Sequence, residues 1–137
     1  MTATSQSSSD PILLSLPARS EWEWVARRVL LAYAHSLGMN SLRLEELGFV
    51  IGRMWDEVAL APGVEQATLT MSAAEADLSL VLEGNRGRDD DYTDERDKAG
   101  EAGWSTHLTS TLIAHLSHKA SIVRTSDRLL IEASFLR

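Results

Sequence analysis

The sequence predicts a two-layer α/β (α+β) sandwich, in which a mostly antiparallel sheet is covered on one face by three helices. The apolar residues of positions 20–61 recur at helical spacing, whereas positions 67–83 and 121–135 contain pairs of short apolar runs typical of strands. Strands and helices do not alternate singly, as they would in a parallel sheet. A chain of 137 residues with 44% hydrophobic content suits one domain with a sizeable core.

The first predicted elements are one strand and one helix. Residues 12–16, ILLSL, form a short apolar run that ends at Pro17 and is typical of a strand. Ser20 and Glu23 have the spacing of a capping box, which predicts that a helix begins there. Gly38 can adopt the left-handed conformation that ends a helix, so this helix is expected to end beside it.

A second helix is predicted from its cap, Asn40 or Ser41, to Pro62. Its apolar stripe has a period close to 3.6 and consists of Leu44, Leu47, Ile51, Met54 or Trp55, and Val58. Gly48 and Gly52 each weaken the helix by about 1 kcal/mol relative to Ala. Something must offset that cost, and close packing against the sheet is favoured over room for a ligand.

The second half of the chain is predicted to hold two hairpins with a loop and a helix between them. Residues 86–101 are densely charged and have almost nothing to bury, which indicates a mobile loop. The predicted elements around it are a hairpin of residues 67–71 and 78–83, a third helix at 104–118, and a closing hairpin of 121–125 and 128–135. Residues 1–10 are expected to be a disordered lead-in, and 11–137 a single domain.

Composition excludes several classes of protein. A net charge of -7 argues against a direct nucleic-acid ligand, whose affinity comes mostly from clustered Lys and Arg. The chain has no cysteine, so neither disulfides nor thiolate metal sites are possible. No apolar run approaches the roughly 20 residues that span a bilayer, and residues 1–10 do not resemble a signal peptide. A soluble, cytoplasmic protein is therefore expected, with no membrane partner.

One charged cluster in the second helix needs an explanation. In GFVIGRMWDEVALAPG, residues 48–63, three charged residues lie within one and a half turns of a helix that is otherwise built for burial. They are Arg53, Asp56 and Glu57. The cluster is either the solvated edge of a core helix or what remains of a binding site.

The order of elements, β-α-α-β-β-loop-α-β-β, resembles the anti-sigma-factor serine kinases of the histidine-kinase-like (GHKL) ATPase superfamily. The resemblance covers nearly the whole chain, from LPARSEWEWVARRVLLAYAHSLG to the closing hairpin, and implies the GHKL fold. In that family the second helix carries a Glu that acts as general base and, four residues later, an Asn that holds magnesium. An Asp-x-Gly-x-Gly motif then reads adenine, and a flexible lid and a glycine-rich turn precede the third helix.

This chain departs from that pattern at the motif positions. The matching positions are Arg53 (general base), Glu57 (magnesium ligand), Glu83 (adenine-reading Asp), Asn85 and Gly87 (the two motif glycines) and Gly103 (the glycine-rich turn). An arginine stays protonated and cannot be a general base, and Arg53 and Glu57 have the spacing of an ion pair. We therefore expect no catalytic residue, no bound metal and no cofactor, with ATP and Mg²⁺ bound only if the pocket is functional.

The resemblance implies a regulatory protein that binds a sigma factor, is controlled by an antagonist protein, and forms a homodimer through the N-terminal strand and first helix. We expect such a regulator to act by binding other proteins and without catalysis. Whether the chain is an enzyme stays open. The alternative is an active ATP-dependent serine/threonine kinase that phosphorylates the antagonist. A third possibility is a stand-alone regulatory or dimerisation module with no sigma-factor partner.

Three smaller features have plain explanations. The Ser, Thr and His residues of 105–111 suit a helix cap better than a hydrolase site, because no nucleophile motif accompanies them. The histidines of 107–118 suit a helix surface better than a zinc site, which needs further ligands. An exposed Trp22 at the front of the first helix would be a plausible contact point for a partner.

Overall fold

A computed structural model describes residues 10–86, 117, 119–125 and 127–137. The elements are β1 (Ile12–Pro17), α1 (Glu23–Ser36), α2 (Ser41–Ala59), β2 (Val64–Ala73), β3 (Asp77–Arg86), β4 (Lys119–Arg124) and β5 (Arg128–Leu136). These two helices and five strands confirm the predicted mixed α+β fold. The charged loop after Arg86 and the predicted third helix lie outside the described residues, except that Ser117 forms a bend rather than a helical turn.

The five strands form one sheet in the order β1-β2-β3-β5-β4. Every neighbouring pair is antiparallel, so both predicted hairpins are confirmed and β2 and β3 are longer than expected. Among the described strands, β1 and β4 are the edges of the sheet. The central strand β3 pairs Leu82 with Leu69 of β2 on one side and with Ile131 of β5 on the other.

The two faces of the sheet differ in polarity because successive side chains of a strand point to opposite faces. One face is apolar and packs under the helices; its fully buried members include Leu69, Leu82 and Ile131. The other face, here called the open face, is mostly polar, and on it the hydroxyl groups of Ser15 and Thr68 are 2.8 Å apart. Both helices of the described part of the chain pack on one face of the sheet, as the sequence predicts.

The ends of the helices agree with the sequence prediction in part. The side chain of Asn40 accepts a hydrogen bond from the backbone N–H of Arg43 at 2.9 Å and so caps α2. Gly38, with φ of 87°, follows the end of α1 as expected. The predicted capping box is wrong, because residues 20–22 form a 3₁₀ turn without a side-chain cap. Glu23 instead binds Arg27 at 3.1 Å, one turn along the exposed side of α1.

The glycines of α2 pack against α1 rather than against the sheet. A Cβ atom on Gly48 would lie 3.6 Å from Cδ of Arg27, and one on Gly52 would lie 3.4 Å from a carboxylate oxygen of Glu23. These glycines serve close packing, as predicted, but they pack against α1 and not against the sheet. These contacts also show that α1 and α2 run antiparallel. Neither of the two described helices is long and apolar enough to cross a membrane.

Candidate functional site

The C-terminal half of α2 places an acidic side chain in the interior of the domain. Glu57 is a charged residue in a helix whose neighbouring core residues are apolar, and its side chain is only 3% exposed. Its Oε1 accepts a hydrogen bond from Nη2 of Arg124, at the end of β4, at 3.2 Å. A buried carboxylate requires such a charged partner, because an unpaired charge in the interior is very costly. The magnesium-ligand position of the resembled family is therefore held in an ion pair.

The general-base position lies one helical turn before Glu57. Arg53 is 3.8 Å from Oδ2 of Asp56 and lines a groove beside α1. The spacing of Arg53 and Glu57 suggested a pair between them, and the ion pairs that the structure shows join Arg53 to Asp56 and Glu57 to Arg124. Glu57 pairs with a cation of β4, and Arg53 lies near an acidic residue three positions along the helix.

The predicted adenine-reading residues lie on the open face of the sheet. In β3 the buried Leu82 and Gly84 face the helices, so the residues that alternate with them face away. Glu83 accepts a hydrogen bond from Nη1 of Arg128 at 3.0 Å on that face, and Asn85 is exposed there. The sheet therefore separates these two residues from Glu57, and the described residues do not form one pocket from the three.

Between these positions, α2 and β3 are in direct contact. A Cβ atom on Gly84 would lie 2.9 Å from Cγ1 of Val58 and 2.9 Å from Cγ1 of Val64. Such distances are shorter than real carbon contacts, so only glycine fits at this point. The side chains of Val58 and Val64 therefore pack directly against the backbone of β3 at this point.

Several predicted site residues cannot be placed. Gly87, Gly103 and the three histidines His107, His115 and His118 lie outside the described residues. Within the described part of the chain, no group of three His, Cys, Asp or Glu side chains could hold a metal ion. The ATP-site assignment therefore stays a prediction for the two glycines.

Sequence reasoning missed Arg124 as the partner of Glu57. One signal was present: Ala120 and Ile122 alternate with exposed residues along β4, and Arg124 continues their series towards the helix side. An arginine in a series of core-facing positions indicates a buried anion nearby. The sequence did not show which one, because Glu57 is 67 residues away along the chain.

The exposed tryptophan is also not the one expected. Trp22 is half-buried and packs against the core, whereas Trp24 is 57% exposed. Trp55 is buried, and its Nε1–H donates to the carbonyl of Arg19 at 2.8 Å. On the outer side of α2, or at its end, lie three more exposed apolar residues: Leu42 at 64%, Phe49 at 49% and Leu60 at 73%.

Comparison with known proteins gives a likeness of fold. No protein-family model and no curated protein matches the sequence. Among solved structures, the chain is similar to one in the crystal structure of the SiaB–SiaC complex from Pseudomonas aeruginosa, with a TM-score of 0.57. The alignment covers 92% of this chain and 89% of that chain at 15% identity. At this identity the likeness shows the fold alone.

Proposed function

We propose that this protein is an anti-sigma-factor-like regulator with the histidine-kinase-like fold, which acts by binding proteins and not by transferring phosphate. It holds a sigma factor and releases it when an antagonist protein binds. Two observations support the proposal. The order of elements resembles that family, and the residues that would bind and use a nucleotide are replaced by others.

The Glu57–Arg124 ion pair is the observation that carries the proposal. A magnesium ligand must offer its oxygen atoms to the metal and to the nucleotide phosphates beside it. Here the carboxylate is 3% exposed and one of its oxygens accepts a hydrogen bond from a guanidinium at 3.2 Å. Breaking that pair to bind a metal would leave the charge of Arg124 without its carboxylate. The pair thus favours a structural role for Glu57 over a role in binding ATP and Mg²⁺.

The positions of the other motif residues point the same way. Arg53 stands where a general base is needed and cannot accept a proton. Glu83 and Asn85 lie on the far side of the sheet from Glu57. Phosphate transfer needs its base, metal and nucleotide contacts within one site, and these four residues do not provide one.

Binding to other proteins has independent support. The net charge of -7 favours encounter with a basic surface such as the DNA-facing side of a sigma factor. The chain of similar fold was crystallised in a complex of two named proteins. A homodimer is also part of the proposal, because the resembled family forms one.

Direct binding measurements test the proposal. Each sigma factor of the source organism is labelled with a fluorophore and titrated with this protein in the absence of nucleotide, while anisotropy is recorded. We expect saturable binding to one of them, and competition by core RNA polymerase. Adding Mg·ATP should leave the dissociation constant unchanged.

The kinase alternative gives a different result in the same preparation. With radiolabelled ATP and a candidate antagonist protein, it predicts transfer of label to a serine or threonine. Such transfer, or a sigma-factor affinity that depends on Mg·ATP, would refute the proposal. Failure of every sigma factor to bind would leave the fold but remove the regulatory assignment.

A further inference from the structure

Among the described strands, β1 forms one edge of the sheet, and its register with β2 shows which of its backbone groups face outwards. In an antiparallel pair, residues that exchange N–H···O bonds with the neighbouring strand alternate with residues whose N–H and C=O point away from it. The N–H of Ala18, which continues the register of β1, donates to the carbonyl of Glu65 at 3.0 Å. At every second position before Ala18 the backbone therefore bonds β2, and it points outwards at positions 11, 13, 15 and 17.

A contact between side chains supports this assignment. Residues that lie opposite each other without exchanging backbone hydrogen bonds have the closer side chains in an antiparallel pair. Ser15 and Thr68 are opposite each other, and their hydroxyl oxygens are 2.8 Å apart. The N–H and C=O of Ser15 therefore point away from β2.

Two prolines limit the outward-facing backbone to a short stretch. Pro11 and Pro17 have no N–H to donate, and the carbonyl of Pro17 already accepts a hydrogen bond from the N–H of Arg19 at 2.8 Å. Between the prolines, the N–H and C=O groups of Leu13 and Ser15 face outwards, and we call these four groups the docking edge. An extended chain lying beside β1 can form a hydrogen bond with each of them.

The side chains along the docking edge do not protect it from such a chain. Natural proteins guard edge strands with charged residues, especially lysine. The other described edge strand, β4, begins with Lys119 and ends with Arg124, whereas β1, ILLSLP, contains no charged residue. Leu13 is 64% exposed on the open face, and Ile12 is 39% exposed on the opposite face. A strand added at this edge would cover both apolar side chains.

We propose that the docking edge binds an extended segment of another protein, which adds to the sheet as a strand beside β1. In this mode of recognition, backbone hydrogen bonds give affinity and pockets for alternate side chains give specificity. The segment that fits carries an apolar residue opposite Leu13 and Lys or Arg at its ends, because the protein has a net charge of -7 and Asp10 is exposed just before the strand. The inference holds whichever protein supplies the segment, so it does not rest on the proposed sigma-factor partner.

A second copy of this chain is the competing occupant, since the resemblance implies a homodimer that includes this strand. The two-fold register that uses all four groups of the docking edge sets Leu13 of one copy opposite Ser15 of the other. The exposed leucine then meets a hydroxyl group and not an apolar side chain. Two copies that each carry a net charge of -7 also repel each other. Both points favour a basic segment of a different protein.

Amide hydrogen exchange, followed by NMR on the whole chain, tests which groups face outwards and what covers them. The amides of Ile12, Leu14 and Leu16 bond β2 and should be protected, whereas the protection factors of Leu13 and Ser15 should be at least about tenfold lower. Protection of Leu13 and Ser15 that grows with protein concentration assigns the docking edge to a second copy and overturns the proposal. Equal protection of both sets at every concentration means that the edge is already covered, which also overturns it.

A phage-displayed library of random nonapeptides, selected against the immobilised wild-type protein, supplies the strand probes. The selected peptides are synthesised with a fluorophore and titrated with the protein, while anisotropy is recorded. We expect peptides with apolar residues at alternate positions and Lys or Arg near their ends. Their binding should raise the protection factors of Leu13 and Ser15.

A matched pair of variants isolates one backbone group of the docking edge. Ser15→Pro removes the outward N–H together with the hydroxyl group, whereas Ser15→Ala removes the hydroxyl group alone. Neither variant removes a backbone hydrogen bond to β2. Ser15→Pro should raise the dissociation constant of the selected peptides at least about tenfold, and Ser15→Ala should leave it within about twofold of wild type. Circular dichroism and the melting temperature confirm that both variants fold.

The peptide experiments can also overturn the proposal. A library that yields no binding peptide leaves the docking edge without a strand partner. Selected peptides that bind Ser15→Pro as tightly as wild type, or that leave the exchange of Leu13 and Ser15 unchanged, bind elsewhere on the protein. An equal loss of affinity in Ser15→Ala and Ser15→Pro would assign the effect to the hydroxyl group and not to the backbone.

Discussion

The strongest prediction concerns the buried ion pair between Glu57 and Arg124. The variant Arg124→Met keeps most of the apolar stem of the side chain but removes the guanidinium, so the carboxylate of Glu57 is left 3% exposed without that partner. Removing one member of a buried pair costs about 3–5 kcal/mol. Because the side chain of Arg124 is 27% exposed and water can reach the site, we expect the lower end, about 3 kcal/mol.

The open face of the sheet supplies a matched control. Glu83 and Arg128 form an ion pair of 3.0 Å whose side chains are 30% and 50% exposed. Arg128→Met should therefore cost less than about 1 kcal/mol, as is usual for exposed pairs. The contrast between the two Arg→Met variants depends on burial, since both remove the same group from a carboxylate at a similar distance.

Urea unfolding followed by tryptophan fluorescence measures both effects. Trp55 is 1% exposed, so its emission should shift when the core opens. The denaturation midpoint should fall strongly for Arg124→Met and hardly for Arg128→Met, with unchanged m-values. The double variant Glu57→Leu with Arg124→Met should recover most of the loss, because an apolar replacement of a buried pair is often neutral. Equal costs for the two single arginine variants would refute the argument that Glu57 is a structural residue.

The remaining predictions concern glycines and the lost motif. Gly84→Ala should destabilise the protein by about 1–3 kcal/mol, because the added methyl group overlaps Val58 at 2.9 Å; an unchanged unfolding midpoint would contradict the close helix–strand contact. Gly48→Ala should raise the free energy of unfolding by up to about 1 kcal/mol, because its methyl group meets only ordinary contacts of 3.6 Å or more and the helix gains propensity. The double change Arg53→Glu with Glu57→Asn should not create Mg·ATP binding in calorimetry, and a measurable binding heat would show that the pocket survives.

The sequence predicted the order of the described helices and strands well, because local patterns indicate it. Alternating residues in β2 and β5 and the 3.6-residue stripe of α2 indicate which face of each element is buried. Gly38 and Asn40 have strong local preferences at helix ends, and both lie where expected. These features depend on neighbours within a few positions, so a single sequence contains them.

The errors concern contacts between distant parts of the chain. Ser20 and Glu23 have capping-box spacing, but the chain leaves β1 through a 3₁₀ turn that a local motif does not reveal. Arg124, a partner of Glu57, belongs to another element 67 residues away, which helix spacing does not reveal. Motif alignment likewise placed Glu83 in a pocket without considering which face of β3 it occupies.

The most direct test of the account compares the stabilisation of the protein by two ligands. Its unfolding midpoint is measured alone, with Mg·ATP at millimolar concentration, and with the sigma factor identified by anisotropy. A ligand at about 100 times its dissociation constant stabilises the native state by about 2.7 kcal/mol. We expect stabilisation of that order by the sigma factor and none by Mg·ATP. Stabilisation by Mg·ATP without any by a sigma factor would contradict it.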